Sequence, residues 1–76
     1  MEVNVERLRP FSGLVTRCDG DVVKVDICGR VHLIKIPRKW AVMIGQVLRE
    51  KGRAWVQVKA RYDCRGFVRS YSLMVR

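Results

Sequence analysis

The chain has 76 residues and a formal net charge of +9, from sixteen Lys and Arg against seven Asp and Glu. This length fits one small domain with a thin core, and a hydrophobic content of 49% with 30% charged residues excludes a disordered segment. No apolar run approaches the length of a membrane span, and the first residues lack the basic start and apolar stretch of a signal peptide. We therefore expect one cytoplasmic domain over residues 1–76.

The basic charge is concentrated in one part of the chain. Residues 1–28 hold four basic and five acidic side chains, whereas residues 29–76 hold twelve basic and two acidic ones. The net charges of the two segments are therefore −1 and +10. Such an asymmetry is typical of a protein that binds a polyanion.

The first third of the chain predicts two strands joined by a tight turn. Residues 1–10 form a lead-in, with an edge strand as the alternative. Residues 11–18 and 22–28 alternate apolar and polar side chains, which is typical of half-buried strands. The step Asp19-Gly20 between them favours a hairpin turn, because glycine adopts positive φ at low cost.

The middle of the chain is interrupted by proline and glycine. Pro37 ends the third predicted strand, residues 31–36, because proline cannot donate a ladder hydrogen bond. Residues 38–44 have room for one or two helical turns. Residues 43–49 then predict a fourth strand, bulged at Gly45, and residues 50–52 a hairpin loop.

The last third of the chain has the clearest strand pattern. Residues 53–62 alternate throughout, residues 63–66 predict a turn, and residues 67–75 predict a last strand because Phe, Val and Tyr favour strands. Five or six short strands joined by tight turns predict an all-β fold. We expect a small antiparallel barrel, because closure removes exposed strand edges.

The strand predicted over residues 53–62 presents two different faces. One is apolar, from Ala54 through Val56 and Val58. The other combines three cations, an amide and an indole, and we call it the basic stripe: Arg53, Trp55, Gln57, Lys59 and Arg61. Burying this face would bury three charges, which costs far more than exposing one tryptophan. Cations neutralise phosphates and an exposed indole stacks on bases, so the stripe predicts single-stranded nucleic-acid binding.

Two other segments extend this prediction. Arg38, Lys39 and Trp40 place two cations and an aromatic ring in the connector after Pro37, although Trp40 equally fits a loop anchor against the barrel end.

The last predicted strand places Phe67, Arg69 and Tyr71 on one face, with Arg69 near Arg61 and an aromatic ring on the same sheet face as Trp55. For Phe67 and Tyr71 individually, a core position is the alternative.

Catalytic and metal-binding patterns are missing from the sequence. The three cysteines, Cys18, Cys28 and Cys64, form no C-x-x-C pair, and His32 is the only histidine. No Walker, G-x-G-x-x-G, G-x-S-x-G or H-E-x-x-H pattern occurs. We expect no enzyme activity, metal or cofactor. The low Asn and Gln content also suggests a thermophilic source.

The layout resembles the OB-fold, the five-stranded barrel of single-stranded nucleic-acid-binding domains of the replication protein A type. The segments that carry the resemblance are Gly13-Leu-Val-Thr-Arg17, residues 21–36 and Ile44-Gly45-Gln46-Val47. The resemblance implies a ligand that crosses strands 2 and 3 and the loops 1–2 and 4–5. The residues implied are Lys24, Lys35, Arg38, Trp40 and residues 50–53.

The chain departs from this family between strands 3 and 4, where the family has a helix and only residues 38–44 are available. An SH3-like or Sm-like barrel, which has a single helical turn before its last strand, is the alternative fold.

Two functions are consistent with the sequence. The first is a non-enzymatic module that binds single-stranded DNA or RNA. The second is a small accessory subunit of a replication, transcription or ribosomal assembly, which acts mainly through protein–protein contacts.

Overall fold

The computed structural model describes residues 5–76, which form five strands and one helix. In chain order the elements are β1 (Phe11–Asp19), β2 (Val22–Ile27), β3 (Arg30–Lys35), α1 (Arg38–Lys51), β4 (Ala54–Tyr62) and β5 (Val68–Val75). The strands make one antiparallel sheet in the order β3-β2-β1-β4-β5. No helix within this described range is long and apolar enough to cross a membrane.

Five of the six predicted strands are confirmed, each to within one residue at either end. Their period-2 alternation places one set of valines on the same side of the sheet, where at most 2% of each is exposed: Val15, Val23, Val25, Val56 and Val58. The predicted turn at Asp19-Gly20 is also confirmed, and Gly20 has the positive φ of 63° that favours glycine there.

The strand predicted over residues 43–49 is wrong, because this segment belongs to the fourteen-residue helix α1. The predicted hairpin loop at residues 50–52 is wrong for the same reason. The apolar side chains of this segment recur at helical spacing, so a helix turns them all toward the sheet, whereas a strand would split them between two faces. These residues are Trp40, Ala41, Ile44, Val47 and Leu48.

The ends of α1 explain why proline and glycine do not prevent the helix. Pro37 stands at the N-cap, where a missing N–H costs nothing. Gly52 closes the C-terminus with a φ of 77°, and its N–H donates to the Leu48 carbonyl at 2.7 Å. Gly45 lies inside the helix, at a cost of roughly 1 kcal/mol relative to alanine, which the packing of Ala41 and Ile44 outweighs.

Helix α1 packs on one face of the sheet and forms the core with it. Ala41 and Ile44 are buried against the inward-facing residues of β1, β2, β3 and β4. The inward residues of the sheet are Val15, Val23, Val25, Ile34, Ala54, Val56 and Val58. The other sheet face is turned away from the helix, and we call it the outer face.

The expected barrel closure is wrong. Within residues 5–76 the sheet is open, with β3 and β5 at its two edges. The physical reason is the helix: fourteen residues that a barrel would use as wall instead cover the apolar face as a second layer.

The lead-in segment is tied to both edges of the sheet. Glu6 forms a parallel bridge with Ile34, and its N–H donates to the Leu33 carbonyl at 2.8 Å. At the other edge, the hydroxyl of Tyr71 donates to the carbonyl of Leu8 at 3.1 Å. Residues 1–4 of the predicted lead-in lie outside the described residues.

Strands β4 and β5 extend beyond the rest of the sheet. The pairing of β1 with β4 ends at Phe11 opposite Val58, whereas β4 continues to Tyr62 against β5. We call this two-stranded part, residues 59–72, the ribbon. All ten residues from 61 to 70 are exposed, so the ribbon projects into solvent.

Candidate nucleic-acid interface

The basic stripe lies on the outer face of β4, as the alternation predicts. Val56 and Val58 are buried toward α1, while Trp55 points to the opposite side of the sheet and is 45% exposed. Lys59 and Arg61 are exposed and Gln57 is half-buried. Arg53 is exposed in the short connection between α1 and β4, one residue before the strand begins.

The neighbours of the stripe on adjacent strands are small or uncharged. Lys59 lies opposite Ser72 of β5, and Arg61 lies opposite Ser70. Residues directly opposite in an antiparallel pair have Cβ atoms about 5 Å apart, so these serines leave the cations uncovered. Gln57 has Ser12 on one side and Met74 on the other.

Within residues 5–76 the stripe cations have no acidic partner. The described residues contain four salt bridges, and none of them includes Arg53, Lys59 or Arg61. Lys35, by contrast, lies 3.8 Å from the carboxylate of Asp21. The positive charge of the stripe is therefore available to phosphates, while that of Lys35 is shared with a carboxylate.

The ribbon extends the stripe at the Arg61 end. Arg61 and Arg69 line one surface depression together with Tyr62 and Ser70, so the predicted proximity of the two arginines is present. Arg69 is the extra residue of a bulge, because Arg61 pairs with Ser70 and Tyr62 with Val68.

The tip of the ribbon adds Tyr62 and Arg65, which the sequence interpretation missed, to Phe67, which it had placed on the last strand. Tyr62 is 57% exposed, Phe67 is 66% exposed and Arg65 stands between them in the turn. The only acid of the tip, Asp63, is engaged in that turn, where it accepts hydrogen bonds from the N–H groups of Arg65 and Phe67. The signal that could have found these residues is the position of Tyr62 and Phe67 on either side of the predicted turn at residues 63–66, because turns usually lie on the surface.

Tyr71 does not share the sheet face of Trp55, and the alternative core position is confirmed for it. Tyr71 pairs with Ala60, on the helix side of the sheet, and packs against the core. Phe67 precedes β5 and lies in the exposed turn, so it also does not join Trp55 on the sheet.

Three other predicted contact residues lie apart from the stripe. Arg38 and Lys39 are exposed in the first turn of α1, on the side of the sheet opposite Trp55. Trp40 is half-buried against the core, which agrees with the anchoring alternative rather than with a loop contact.

The residues implied by the family resemblance are only partly brought together. Lys24 and Lys35 are exposed on the outer face of β2 and β3, with Lys24 opposite Leu33. Residues 50–53 do not connect strands 4 and 5, because they form the end of α1 and its exit. The connection between β4 and β5 is instead the ribbon tip, residues 63–67.

The cysteines and the histidine lie apart from the stripe. All three cysteines are free thiols, and within residues 5–76 no three His, Cys, Asp or Glu side chains cluster closely enough for a metal. His32 is half-buried on β3, where its Nδ1 lies 2.8 Å from the Glu6 carboxylate. This contact ties the lead-in to the sheet edge.

Comparison with known proteins finds no matching family, no matching curated protein and no matching solved structure.

Proposed function

We propose that this protein is a non-enzymatic module that binds single-stranded DNA or RNA across the outer face of β4 and along the ribbon. The observation that carries the proposal is the combination of an indole on β4 that is 45% exposed with three cations, two on β4 and Arg53 just before it, that have no acidic partner among the described residues. Phosphates supply the complementary charge and bases supply planar surfaces for the indole.

The aromatic side chains favour single strands over duplex. Bases in a duplex are stacked on one another, whereas bases in a single strand are free to stack on a protein ring. Trp55 offers such a ring near one end of β4, and Phe67 offers another at the ribbon tip. Between them, Lys59 and Arg61 are placed for the backbone of a strand that runs along β4. Tyr62 is also exposed at the tip, although alternation turns it to the other face of β4 from Arg61.

The shape of the surface also supports this path. A depression beside Gln57 and Lys59 lies at the root of the ribbon, where β1 begins. A second depression lies between Arg61 and Arg69. Both lie along β4, so a single extended chain has recesses for its bases at two points along the stripe.

Two features of the fold agree with the resemblance to the OB-fold, although the sheet is not closed into a barrel. Helix α1 lies between the third and fourth strands, where that family has its helix, so the departure expected from the sequence does not occur. The number of strands, five, is also that of the family. The SH3-like or Sm-like alternative fits less well. It has a single helical turn before its last strand, whereas α1 has fourteen residues and is followed by two strands.

The decisive experiment is a fluorescence titration with a single-stranded oligonucleotide. In a Trp40→Phe variant the emission reports on Trp55 alone, and we expect quenching on addition of the oligonucleotide. Three to five phosphate contacts predict that log affinity falls with log salt concentration at a slope of roughly −2 to −4. A salt-independent affinity, or no binding at low salt, contradicts the proposal.

A matched control separates the stripe from the overall charge. The triple variant Arg53→Ser, Lys59→Ser, Arg61→Ser removes three stripe cations. The control triple Arg7→Ser, Arg30→Ser, Lys51→Ser removes three exposed cations that lie off the outer face of β4. We expect the first variant to lose most of the affinity and the second to lose far less, although both carry the same net charge.

A further inference from the structure

A cleft runs along helix α1 on the side of the molecule opposite the basic stripe. Its walls are one face of α1 and the turn between β1 and β2, and Arg38 and Arg49 stand at its two ends. These arginines are eleven positions apart on the helix, which corresponds to about 16 Å at 1.5 Å per residue. The sequence interpretation did not identify this cleft, because it depends on the helix.

The two charges at the ends of the cleft have no acidic partner in the part of the chain that the structure describes. Neither Arg38 nor Arg49 takes part in a salt bridge among the described residues. The one carboxylate in the wall, Asp21, is directed at Lys35, 3.8 Å away. The cleft therefore offers two free guanidinium groups, which prefer carboxylates or phosphates as ligands.

The floor between the arginines is apolar and neutral. Val42 is 59% exposed and Leu48 is half-buried along it. The Sγ of Cys18 lies 3.8 Å from the carbonyl of Ala41 at the base of the cleft. Burial, and secondarily the nearby Asp19 carboxylate, raise the pKa of the Cys18 thiol, so the floor carries no thiolate at neutral pH.

Gly45 leaves the helix backbone uncovered in this floor. A glycine inside a helix costs roughly 0.5–1 kcal/mol relative to alanine. The fold does not require it, because a Cβ at this position would meet no atom within 4 Å. A glycine here lets another chain approach the helix backbone closely, which a side chain would prevent.

We propose that this cleft binds an extended segment of a partner protein that carries two carboxylates about five residues apart, with apolar side chains between them. The spacing follows from the separation of about 16 Å between the arginines and the rise of about 3.3 Å per residue of an extended chain. A peptide suits this site better than a nucleic acid because none of the described residues that line the cleft is aromatic, so bases have no stacking surface there.

The position of the cleft allows it to act together with the basic stripe. Helix α1 and the basic stripe lie on opposite faces of the sheet, so the two surfaces can be occupied together. The protein would then act as an adaptor that links a protein segment to a nucleic acid. This combines the two functions that the sequence left as alternatives, and assigns each to its own face.

The test is an NMR titration of the ¹⁵N-labelled protein with a synthetic peptide that has Glu at its second and seventh positions and Leu and Val between them. We expect saturable shift changes for the amides of Ala41, Gly45 and Leu48, and none for Trp55 and Lys59. A peptide with Lys in place of both Glu residues should not bind. No oligonucleotide is present, so the result does not depend on the nucleic-acid proposal.

Three variants make the test specific. The double variant Arg38→Ser, Arg49→Ser should weaken peptide binding about tenfold or more, because each peptide carboxylate loses a charge-assisted hydrogen bond. The control pair Lys39→Ser with Lys51→Ser removes the same charge from the same helix and should change the affinity less than about threefold. Gly45→Leu should abolish binding while raising the melting temperature, because leucine favours the helix and fills the cleft.

Other outcomes overturn the proposal. The proposal is wrong if the two double variants weaken peptide binding equally, or if Gly45→Leu binds the peptide with unaltered affinity. It is also wrong if the amide shift changes are confined to the outer face, or if no amide shifts saturably. A single-stranded oligonucleotide that shifts the amides of Gly45 and Leu48 in place of the peptide would also overturn it, because it would make the cleft part of the nucleic-acid surface.

Discussion

Leu14 of β1 lies directly opposite Trp55 of β4 on the outer face of the sheet. On the other side of Trp55, its backbone N–H and carbonyl are both hydrogen-bonded to Arg76. Trp55 is therefore held between two neighbouring chain segments, and its side chain points away from the buried Ala54 and Val56. Because its backbone is already fixed, this residue loses little further backbone entropy when its ring stacks on a ligand.

The two tryptophans should respond oppositely to truncation. Trp55→Ala should weaken binding of a single-stranded oligonucleotide by about 1–3 kcal/mol and leave the melting temperature nearly unchanged, because the ring contacts solvent. Trp40→Ala should destabilise the fold by roughly 2–3 kcal/mol, since Trp40 packs on the core although it is only half-buried. Urea denaturation and oligonucleotide titration of both variants separate the two effects; a large loss of stability in Trp55→Ala would contradict the exposed position.

The ribbon should contribute to the salt dependence of binding. The double variant Arg61→Ser, Arg69→Ser removes two cations that line one depression. Removing one phosphate-binding cation should reduce the slope of log affinity against log salt by about 0.7, so the slope of the double variant should become shallower by roughly 1.4. Titrations at several salt concentrations measure the slope. An unchanged slope would mean that the bound strand does not reach the ribbon.

Most strands and the stripe could be predicted because they depend only on neighbours two positions apart. Alternation from Ala54 to Tyr62 determined which side chains share a face, and burying three cations was too costly to invert it. The full helix was missed because Gly45 was taken to end the helical turns expected over residues 38–44. Glycine inside a helix costs only about 1 kcal/mol, so it does not forbid the structure that the spacing from Trp40 to Leu48 indicates.

Barrel closure and the position of Tyr71 depend on contacts between distant parts of the chain. Closure depends on whether β3 meets β5, and no local pattern encodes that pairing. Tyr71 faces α1 because the bulge at Arg69 shifts the register of β5, and its hydroxyl reaches the Leu8 carbonyl sixty-three residues away in sequence. A single extra residue in a strand reverses the face of every residue beyond it, so alternation alone gave the wrong side.

Gly13 and Gly45 are the two glycines outside turns, and replacing them by alanine should change stability in opposite directions. A Cβ on Gly13 would lie 2.6 Å from the carbonyl oxygen of Asp26 and 2.6 Å from a methyl of Val25. Since a backbone atom cannot give way cheaply, Gly13→Ala should destabilise by about 1–3 kcal/mol. Gly45→Ala should stabilise by roughly 0.5–1 kcal/mol, because its Cβ meets nothing. Urea unfolding of both variants tests the pair, and the same sign for both would contradict it.

The hydroxyl of Tyr71 should stabilise the lead-in. Tyr71→Phe removes the hydrogen bond to Leu8 and should cost about 0.5–1.5 kcal/mol. Tyr62→Phe is the matched control, because that tyrosine is 57% exposed and its hydroxyl has no hydrogen bond among the described residues. We expect no change of stability in the control. Equal effects in the two variants would show that the Tyr71–Leu8 contact contributes nothing specific.

The Cys18 thiol should make stability depend on alkaline pH. Burial, and then the charge of Asp19, raise its pKa in the folded protein, so the unfolded chain loses this proton at lower pH than the folded one. The thiol therefore adds stability below the unfolded pKa of about 8.5, and this contribution is lost as pH rises through and above that value. Replacing Cys18 by Ala should cost more unfolding free energy at about pH 7 than at about pH 10, as measured by urea denaturation at both values.

Alkylation at neutral pH gives an independent check of the Cys18 environment. The exposed Cys28 and Cys64 should be labelled before Cys18, because their thiols are accessible and burial of Cys18 disfavours its reactive thiolate. Mass spectrometry of the partly labelled protein gives the order. Labelling of Cys18 first, or a cost of Cys18→Ala that does not fall with pH, would contradict this account.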